Sequence, residues 1–512
     1  MKELIQEFKN DMAEFKEKTE LFYAKELSVK DYKGFSGGYG SYAQRGGNAS
    51  MLRLRFACGQ VSQDQLAFVA AMIRKHEVNT IHFTTCQTIQ MHNLQKETVY
   101  DVMEKAMDHG IITRGGGGDF PRNVMTSPLT GIAPDTYFDV TPAAKAVSQY
   151  LLGLIKTVHL PRKLKVGFTS GPINDVHATF RDLGFAACPN GTFTVYSAGG
   201  LGPNPRLGVK IEENVAPSDV LYYVKAMVDT FVAHGDYQNR SKARSRFMPD
   251  ALGGKEAYIA AFKEKLAHVR ATETLDLTLE DNILTKKAAA GSVSHPRIHA
   301  QQQEGLYYVT WHPYGGTPSI ADFLAVADAA ASMQDVQLRL GPDETAYIIN
   351  LTAEEAEKMA ELTQNSAATL VEASVSCVGN TICQIGLQDS PSLLHSILEA
   401  IKPYHFADGV LPKLHISGCL SSCGTHQIGE IGFHGSMKVI NKKPTPAFNL
   451  FVNGSDIAGQ ERFGETIGTI AAAEIPAFIT ELGKMIAAAN TTFASWYPEH
   501  TEEFKTLAQK YI

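Results

Sequence analysis

Four of the seven cysteines stand in two close pairs in the last third of the chain. Cys377 and Cys383 are separated by five residues, and Cys419 and Cys423 by three. Four thiolates in two pairs can hold a cubane iron–sulfur cluster, in which each iron takes one sulfur from the protein. A zinc site or four buried free thiols are the alternatives, but paired zinc ligands usually stand about two to four residues apart, which favours the cluster. Glycines beside the pairs would let backbone N–H groups approach the sulfurs: Gly379, Gly418 and Gly424.

Basic residues form the second set that could do chemistry. Arg53 and Arg55 are two apart in MLRLRFACG, so they share one face of an extended strand. Lys163 and Lys165 are likewise two apart in HLPRKLKVGF, and Arg122 follows a run of glycines in GGGGDFPRNVMTS. Guanidinium binds oxyanions through a planar fork of donors, and ammonium adds a compact positive charge. The pattern predicts a site for a small anion.

Together these residues resemble the sirohaem-containing sulfite and nitrite reductases, over nearly the full chain from about residue 51 onward. In that family the C-x5-C and C-x3-C pairs hold a [4Fe–4S] cluster, and the last cysteine, here Cys423, also bridges to the sirohaem iron. The resemblance therefore implies two cofactors, sirohaem and a [4Fe–4S] cluster held by all four cysteines. It also implies four catalytic residues that bind the anion and supply protons: Arg53, Arg122, Lys163 and Lys165.

The same resemblance implies which residues contact the macrocycle. In TTCQTIQMHN, Gln90 and His92 lie on one strand face and match sirohaem-contact positions, as does Thr84. The basic stretch NRSKARSRF resembles a segment that contacts sirohaem carboxylates, through Arg244 and Arg246.

The chain departs from the family pattern at several positions. His82 and Cys86 stand where many relatives have arginines that pair with sirohaem carboxylates. We interpret Cys86 as a small buried filler and not as a ligand. A further departure is Leu420-Ser421 inside the second cysteine pair, where relatives often have Pro-Asn.

The resemblance implies a six-electron reductase, and the charge of the site suggests which anion it takes. Sulfite is a dianion near neutral pH, so a second cation, Lys165 beside Lys163, favours sulfite reduction to sulfide. The alternative is reduction of nitrite to ammonia, because CVGNTIC looks like the first cluster loop of plant-type nitrite reductases. The alternative from another class is a non-catalytic tetrapyrrole carrier or electron-transfer protein, motivated by His82 and Cys86.

One glycine-rich loop raises the question of a bound nucleotide. In SAGGLGPNPRLG, which begins at Ser197, Pro203 and Pro205 prevent a helix from starting where a dinucleotide fingerprint needs one. We therefore expect no NAD or flavin, and a separate electron donor such as ferredoxin or a flavoprotein.

Among the elements that must position these residues, the order strand, helix, strand, strand, helix occurs twice. The first unit spans about residues 51–107 and the second about 307–362. Aligning QMHNL on YIINL gives an offset of 257, and aligning LRLRF on YYVTW gives 255, which indicates a duplication.

We therefore predict a mixed α+β and α/β fold, with two pseudo-symmetric ferredoxin-like repeats and two α/β domains for sirohaem and the Fe–S cluster. The predicted segments are an N-terminal arm, the first repeat, the sirohaem domain, the second repeat and the cysteine-bearing domain: 1–46, 47–117, 118–297, 298–365 and 366–512.

Composition limits the partners and the location. The 512 residues carry 47 Lys and Arg against 54 Asp and Glu, a formal charge of −7, which argues against nucleic-acid binding. Residues 1–20 are too charged for a signal peptide, and no apolar run is long enough for a membrane span. With few cysteines, the chain is expected to be cytoplasmic.

Overall fold

The computed structural model describes residues 2–280, 284–287 and 291–512, and it opens with the predicted helical arm. The arm contributes apolar side chains to the core of the first repeat, since Phe8 and Phe15 are fully buried there. Its helices are α1 (Lys2–Asn10), α2 (Met12–Tyr23) and α3 (Val29–Ser36).

The first repeat has the predicted element order and forms an antiparallel sheet, β1–β2–β5–β4. Helix α4 begins with a capping box, in which Ser62 and Gln65 each accept the other's backbone N–H. Its elements are β1 (Ser41–Ala43), β2 (Ser50–Arg55), β3 (Gln60–Val61), α4 (Gln63–Lys75), β4 (Ile81–Phe83), β5 (Thr88–Leu94) and α5 (Lys96–Ala106).

The next domain is a mixed sheet in the order β10–β9–β8–β7–β6, with helices packed on it. Strands β6, β7 and β8 run parallel, and β8, β9 and β10 run antiparallel. Its elements are β6 (Met125–Thr126), α6 (Thr141–Gly153), β7 (Val166–Thr169), β8 (Leu183–Ala187), β9 (Phe193–Ser197), β10 (Val209–Val215), α7 (Val220–His234), α8 (Met248–Ala251) and α9 (Lys255–Thr272).

The second repeat forms the sheet β11–β12–β14–β13, and β3 of the first repeat joins it as a fifth strand. In this cross-pairing Val61 lies opposite Leu338. Its elements are β11 (Ile298–Ala300), β12 (Tyr307–Trp311), α10 (Ile320–Ala330), β13 (Gln337–Leu340), β14 (Ala346–Leu351) and α11 (Ala353–Leu362).

The C-terminal domain has a sheet in the order β15–β16–β17–β18–β19, again with two parallel pairings followed by two antiparallel ones. Its elements are β15 (Val375–Ser376), α12 (Gly379–Ile382), α13 (Ser390–Ile401), β16 (Leu414–Ser417), β17 (Ile431–Ile440), β18 (Lys443–Val452), β19 (Glu465–Ala471), α14 (Ile475–Ala488), α15 (Phe493–Trp496) and α16 (Thr501–Gln509).

The pairing of residues between strands gives the offset in residue number that relates the two repeats. Arg53 pairs with Gln90, and Thr310 pairs with Tyr347; 310 less 53 and 347 less 90 both give 257. The predicted offset of 255 for the first strand is therefore wrong by two residues. A two-residue shift leaves the inward and outward alternation of a strand unchanged, so the hydrophobic pattern alone did not exclude it.

A second duplication, which the sequence analysis did not find, relates the two larger domains. Val166 pairs with Leu183 in one, and Leu414 pairs with Ile431 in the other; 414 less 166 and 431 less 183 both give 248. The whole molecule is therefore built from two related halves, each a repeat followed by an α/β domain. The predicted domain boundaries stay a prediction, and β1 pairs with β2 although it lies within the predicted arm.

The described residues contain no helix that combines the length and apolar character of a membrane span.

Candidate functional site

The basic pocket begins on β2, whose two arginines share a face as predicted. Arg53 donates from Nη1 to the carbonyl of Gly116 at 2.5 Å, and Arg55 donates from Nη1 to the carbonyl of Arg114 at 2.5 Å. Both carbonyls belong to the glycine-rich segment that follows α5. The strand thus points two guanidinium groups at one loop.

Arg122 reaches the same loop from a different direction. Its backbone N–H donates to the Leu164 carbonyl at 2.8 Å, and Leu164 N–H donates to the Phe120 carbonyl at 3.2 Å, a short parallel pairing. The side chain of Arg122 donates from Nη1 to the Gly116 carbonyl at 2.7 Å. Two guanidinium groups, Arg53 and Arg122, therefore converge on one acceptor.

Gly116 permits this convergence because its backbone is crowded. A Cβ atom at this position would lie 2.8 Å from the Thr113 carbonyl oxygen and 3.1 Å from the Gly40 Cα atom. Any side chain would force the loop away from the arginines.

The arginines of the pocket are buried close together and repel one another. Burial, followed by repulsion from Arg53, lowers the pKa of Arg122 to about 10. Burial, followed by repulsion from Arg122 and Arg53, lowers the pKa of Arg55 to about 9. Cations crowded in this way are stabilised by a bound anion, so the pocket suits both an anionic substrate and a polycarboxylate macrocycle. Four of the nine residues that line the cavity are basic; the nine are Arg53, Arg55, Cys86, Thr88, Gly116, Arg122, Asn123, Met125 and Lys165.

The two predicted lysines flank Leu164 directly before β7, beside Arg122. Burial, followed by the charges of Lys165 and Arg244, lowers the pKa of Lys163 well below its usual value. The charge of Cys86 is the largest single effect on the pKa of Lys165 and raises it. Burial and the neighbouring arginines together lower this pKa by a larger amount, so the net shift is downward.

Cys86 is not the buried filler that we expected. Its side chain is partly exposed to the basic cavity, and Lys165 Nζ donates to Cys86 Sγ at 3.3 Å. Burial raises the pKa of this thiol, but the cations around it, Lys165 foremost, lower the pKa to about 6. The filler interpretation failed because the lysine that contacts Cys86 lies 79 residues later in the chain.

The residues that the resemblance assigned to the macrocycle lie on and beside β5. Gln90, with its amide oriented to satisfy both neighbours, accepts from Arg53 Nε at 3.1 Å and donates to His92 Nε2 at 3.2 Å. Thr84 bonds the Thr88 hydroxyl at 2.7 Å in the turn before β5. Burial, then the charge of neighbouring groups, lowers the pKa of His92 to about 3, so its ring is neutral.

His82, at the other departure position, is also buried and neutral. Its Nδ1 lies 3.3 Å from the Thr317 hydroxyl, and its Nε2 lies 3.7 Å from a carboxylate oxygen of Glu344. Burial, then the charge of Arg53, lowers its pKa to about 4. It therefore supplies a polar contact and no positive charge at a position where the resemblance implied arginine.

Arg244 and Arg246 are held by different partners. Arg244 Nη2 donates to both carboxylate oxygens of the fully buried Asp182 at 3.1 Å, and its Nε has no partner among the described residues. Arg246 donates hydrogen bonds to the carbonyls of Leu201, Pro203 and Asn204. Arg244 thus keeps a donor available, while Arg246 braces a loop.

Asp182 organises this side of the pocket, and the sequence analysis missed it. Besides Arg244 it accepts the backbone N–H of Lys165 at 2.8 Å and the hydroxyl of Ser245. No motif marks Asp182 in the sequence, because its partners lie 17 residues before it and 62–63 residues after it.

The four cysteines lie around the end of the C-terminal sheet. Cys377 follows β15, Cys383 follows α12, and Cys419 and Cys423 lie in the turn after β16. The other three thiols act electrostatically on Cys423, which places all four in one neighbourhood.

The surroundings of Cys377 suit a thiolate ligand. Gly418 N–H donates to Cys377 Sγ at 3.1 Å, as predicted, and the Ser390 hydroxyl lies 3.1 Å from the same sulfur. Burial raises the pKa of Cys377, while Ser390 and the N–H groups of Gly418 and Gly379 oppose that shift. Gly424, by contrast, donates its N–H to the Ser417 hydroxyl and not to a sulfur.

No three Cys, His, Asp or Glu side chains of the described ranges gather closely enough to hold a single metal ion. A cubane has a different requirement, because each of its irons takes one sulfur and the ligands stand apart.

Direct contacts join the cysteine loops to the first repeat. The Thr85 hydroxyl donates to the carbonyl of Cys423 at 2.9 Å. Arg45 donates its backbone N–H to the Ile382 carbonyl at 2.9 Å and its Nη2 to the Gly386 carbonyl at 2.6 Å. These contacts bring the Cys423 loop next to the turn that carries Cys86, at the edge of the basic pocket.

The second repeat has residues at the positions that correspond to the arginines of the basic pocket, but these residues are uncharged. By the strand register that relates the repeats, Arg53 and Arg55 correspond to Thr310 and His312. These two residues line a cleft of about 800 Å³. Burial lowers the pKa of His312 to about 4, so both positions are uncharged there. Only the first repeat therefore carries the arginine pair.

Two known sequence families match the first half of the chain. The family described as "Nitrite/Sulfite reductase ferredoxin-like half domain" matches residues 42–109. The family described as "Nitrite and sulphite reductase 4Fe-4S domain" matches residues 117–269. The four cysteines lie outside the second match, but they belong to the domain that repeats its strand order in the second half of the molecule.

Individual relatives match over most of the chain. The assimilatory ferredoxin-dependent nitrite reductase of Haloferax mediterranei is 26% identical over 500 residues, covering 90% of this chain and 83% of that protein. The ferredoxin–nitrite reductase of Synechococcus elongatus is 25% identical over 455 residues, covering 84% of this chain and 85% of that protein.

A solved structure shares the fold. The NirA protein of Mycobacterium tuberculosis superposes with a TM-score of 0.76 at 23% identity, covering 91% of this chain and 89% of that one. This confirms the predicted mixed α/β architecture with ferredoxin-like repeats.

The predicted cofactors, sirohaem and a [4Fe–4S] cluster, are confirmed by these matches, and the residues present fit them. The charge of the buried basic pocket suits polycarboxylate and oxyanion ligands. Four cysteines lie beside it, and the sulfur of Cys377 accepts a backbone N–H. We conclude that this chain is an oxidoreductase related to the nitrite and sulfite reductases, whose sequence families match its residues 42–109 and 117–269.

Proposed function

We propose that the chain reduces nitrite to ammonia with electrons from ferredoxin, the alternative of the sequence analysis, in preference to sulfite reduction. The relatives named above are ferredoxin-dependent nitrite reductases, and their similarity extends over most of the chain. Neither of their names refers to sulfite.

The observation that carries the proposal is the contact between Lys165 and Cys86. The preference for sulfite rested on Lys165 as an additional cation for a dianion. Because Lys165 Nζ lies 3.3 Å from Cys86 Sγ, a thiolate there offsets that charge. Among the remaining basic groups, Arg53 and Arg122 offer two guanidinium groups that suit a monoanion with two oxygens.

The roles of the other residues follow from their surroundings. When bound, the cluster and the sirohaem would pass the six electrons that nitrite needs from ferredoxin to the substrate. Arg53 and Arg122 keep their guanidinium groups aimed at the pocket through the shared Gly116 carbonyl, so they can bind the nitrite oxygens. Lys163, whose pKa is well below the ordinary lysine value, gives up a proton more readily and serves as the proton donor while water leaves.

Steady-state kinetics with both anions test the proposal. We expect a higher kcat/KM for nitrite than for sulfite when cofactor-loaded protein is supplied with reduced ferredoxin or reduced methyl viologen. A higher value for sulfite would overturn the proposal. Turnover of neither anion, with both cofactors verified by visible spectrum and iron content, would instead support the non-catalytic carrier.

A further inference from the structure

The pair formed by Cys86 and Lys165 has a counterpart in the second half of the molecule. There Lys413 Nζ donates to a carboxylate oxygen of Asp343 at 2.6 Å. Asp343 corresponds to Cys86 at the offset of the two repeats, since 343 less 86 gives 257. Lys413 corresponds to Lys165 at the offset of the two larger domains, since 413 less 165 gives 248.

Both members of each pair are therefore related by the internal symmetry. Lys165 directly precedes β7, and Lys413 directly precedes β16. Cys86 and Asp343 each lie in the turn that joins the two adjacent strands of their repeat. The same architecture thus holds an ammonium group against an acidic side chain in both halves, with a thiol in place of the carboxyl in the first.

The charged groups that act most strongly on Cys86 come from four neighbouring segments, and all of them are cations. Arg53 faces it from β2, Arg122 from the loop before β6, Lys165 from the segment before β7, and Arg181 from the segment before β8. Its thiol pKa of about 6 is consistent with this setting.

We propose that Cys86 is a positioning residue whose thiolate holds Lys165 as Asp343 holds Lys413, cancels one positive charge of the pocket, and thereby favours a monoanionic over a dianionic substrate. The inference rests on the proposed function and names the residue that sets the specificity of the same site. Cys86 acts through Lys165, because a Lys165 ammonium without a partner adds one charge next to the anion.

A pair of nearly isosteric variants separates charge from shape. Cys86→Asp keeps the negative charge, as in the second half, while Cys86→Asn removes it. For each variant we would measure the Kd of nitrite and of sulfite by calorimetry, in addition to kcat/KM for both anions. Cys188→Ser is the matched control, because Cys188 is also partly exposed and, among the described residues, its thiol bonds the Ala186 carbonyl and the Thr194 hydroxyl but no charged group.

We expect Cys86→Asp to keep the native ratio of sulfite to nitrite affinity within about twofold, as Cys188→Ser does. Cys86→Asn should shift that ratio toward sulfite by roughly tenfold, because an unpaired ammonium interacts more strongly with the higher charge. When Lys165→Met is added to each variant, Cys86→Asp and Cys86→Asn should have the same ratio of sulfite to nitrite affinity.

The pH dependence gives a readout that a merely structural role would not change. The nitrite Kd of the native protein should change through pH 6, where the thiolate takes up a proton, and this step should be absent in Cys86→Asn.

Equal affinity ratios for Cys86→Asp and Cys86→Asn would overturn the inference, as would a difference that persists without Lys165. If neither variant retains its cofactors, the same comparison is made between native protein and Cys86→Ser. Failure of native protein to reduce nitrite would defeat the proposed function, whereas the ratio of the two Kd values reports on Cys86 alone.

Discussion

Among single residues, the basic pocket depends on one backbone carbonyl. The guanidinium groups of Arg53 and Arg122 both donate to Gly116, which holds two like charges close together and aims them at the same cavity. Such preorganised donors stabilise charge that develops on a reacting anion at no reorganisation cost.

We expect Arg53→Ala and Arg122→Ala each to lower kcat/KM for nitrite by about 10²–10³-fold, because each removes a charge-assisted donor. The visible spectrum should show that sirohaem is retained. Arg74→Ala is the control, since Arg74 forms an exposed ion pair with Asp328 and should keep native kinetics. Native kinetics in both pocket variants would show that the anion binds elsewhere.

The cysteines allow a second prediction for individual side chains. We expect about one cubane of iron and acid-labile sulfide per chain, held by Cys377, Cys383, Cys419 and Cys423. Cys423→Ser should cost most of the electronic coupling between cluster and sirohaem, measured by EPR and Mössbauer spectroscopy, whereas Cys188→Ser should keep it. An intact coupled spectrum in Cys423→Ser would contradict the bridging role.

Among the secondary-structure elements, β8 and β17 each pack closely against the turn that precedes them. A glycine permits this contact in each strand, and the two glycines occupy corresponding positions in the two larger domains. A Cβ atom on Gly184 of β8 would lie 2.0 Å from the Ala178 carbonyl oxygen. On Gly432 of β17 it would lie 1.9 Å from the His426 carbonyl oxygen. Both contacts are to backbone atoms, which cannot move aside as a flexible side chain can.

We therefore expect Gly184→Ala and Gly432→Ala to lower the free energy of unfolding by at least about 1–3 kcal/mol, as overpacking does in a dense core. Gly153→Ala is the matched control, because beyond the neighbouring helix backbone no atom of the described residues lies within 4 Å of a Cβ there, and alanine favours helix α6. Denaturant unfolding measures all three. Equal stability of Gly184→Ala and Gly153→Ala would contradict the close packing.

In the molecule as a whole, the two repeats share one core and differ in charge. Phe83 of the first repeat packs edge-on against Trp311 of the second, with ring centroids 5.5 Å apart, and β3 crosses into the second sheet. The halves are therefore not independent, although only the first has the arginine pair. Buried neutral histidines are distributed over both halves.

These histidines predict how stability depends on pH. Burial, the largest effect in each case, lowers the pKa of His82, His312 and His415 to about 4. An unfolded histidine binds a proton near pH 6.5, so between pH 6.5 and 4 the unfolded chain takes up protons that the folded chain does not. The free energy of unfolding should therefore fall as the pH drops through this window.

Urea unfolding between pH 7.5 and 4.5 would measure that slope. His312→Gln should reduce the slope of the unfolding free energy against pH by about 1.4 kcal/mol per pH unit, which is the slope that one additional bound proton produces. The exposed His268→Gln is the control and should keep the native slope, since its ring is in water in both states. An unchanged slope for His312→Gln would show that this ring is protonated in the fold.

Local patterns in the sequence were sufficient for the element order of the repeats, and the candidate ligands were also chosen from local patterns. Helix α11 ends at Leu362, where the second unit was predicted to end, and its capping box at Thr352 is a signal of the same short range. The spacing of the four cysteines and the shared face of Arg53 and Arg55 are likewise properties of short segments.

Which distant groups meet depended on the fold alone. Arg53 and Arg122 share a carbonyl through a loop, and Cys86 meets Lys165 across two domains, so neither contact has a signature in a short stretch of sequence. The register of β12 also required the fold, because a two-residue slip preserves the alternation of a strand. The charge of the pocket depends on those long-range contacts, since charge in a buried site is determined by every side chain that the fold brings near it.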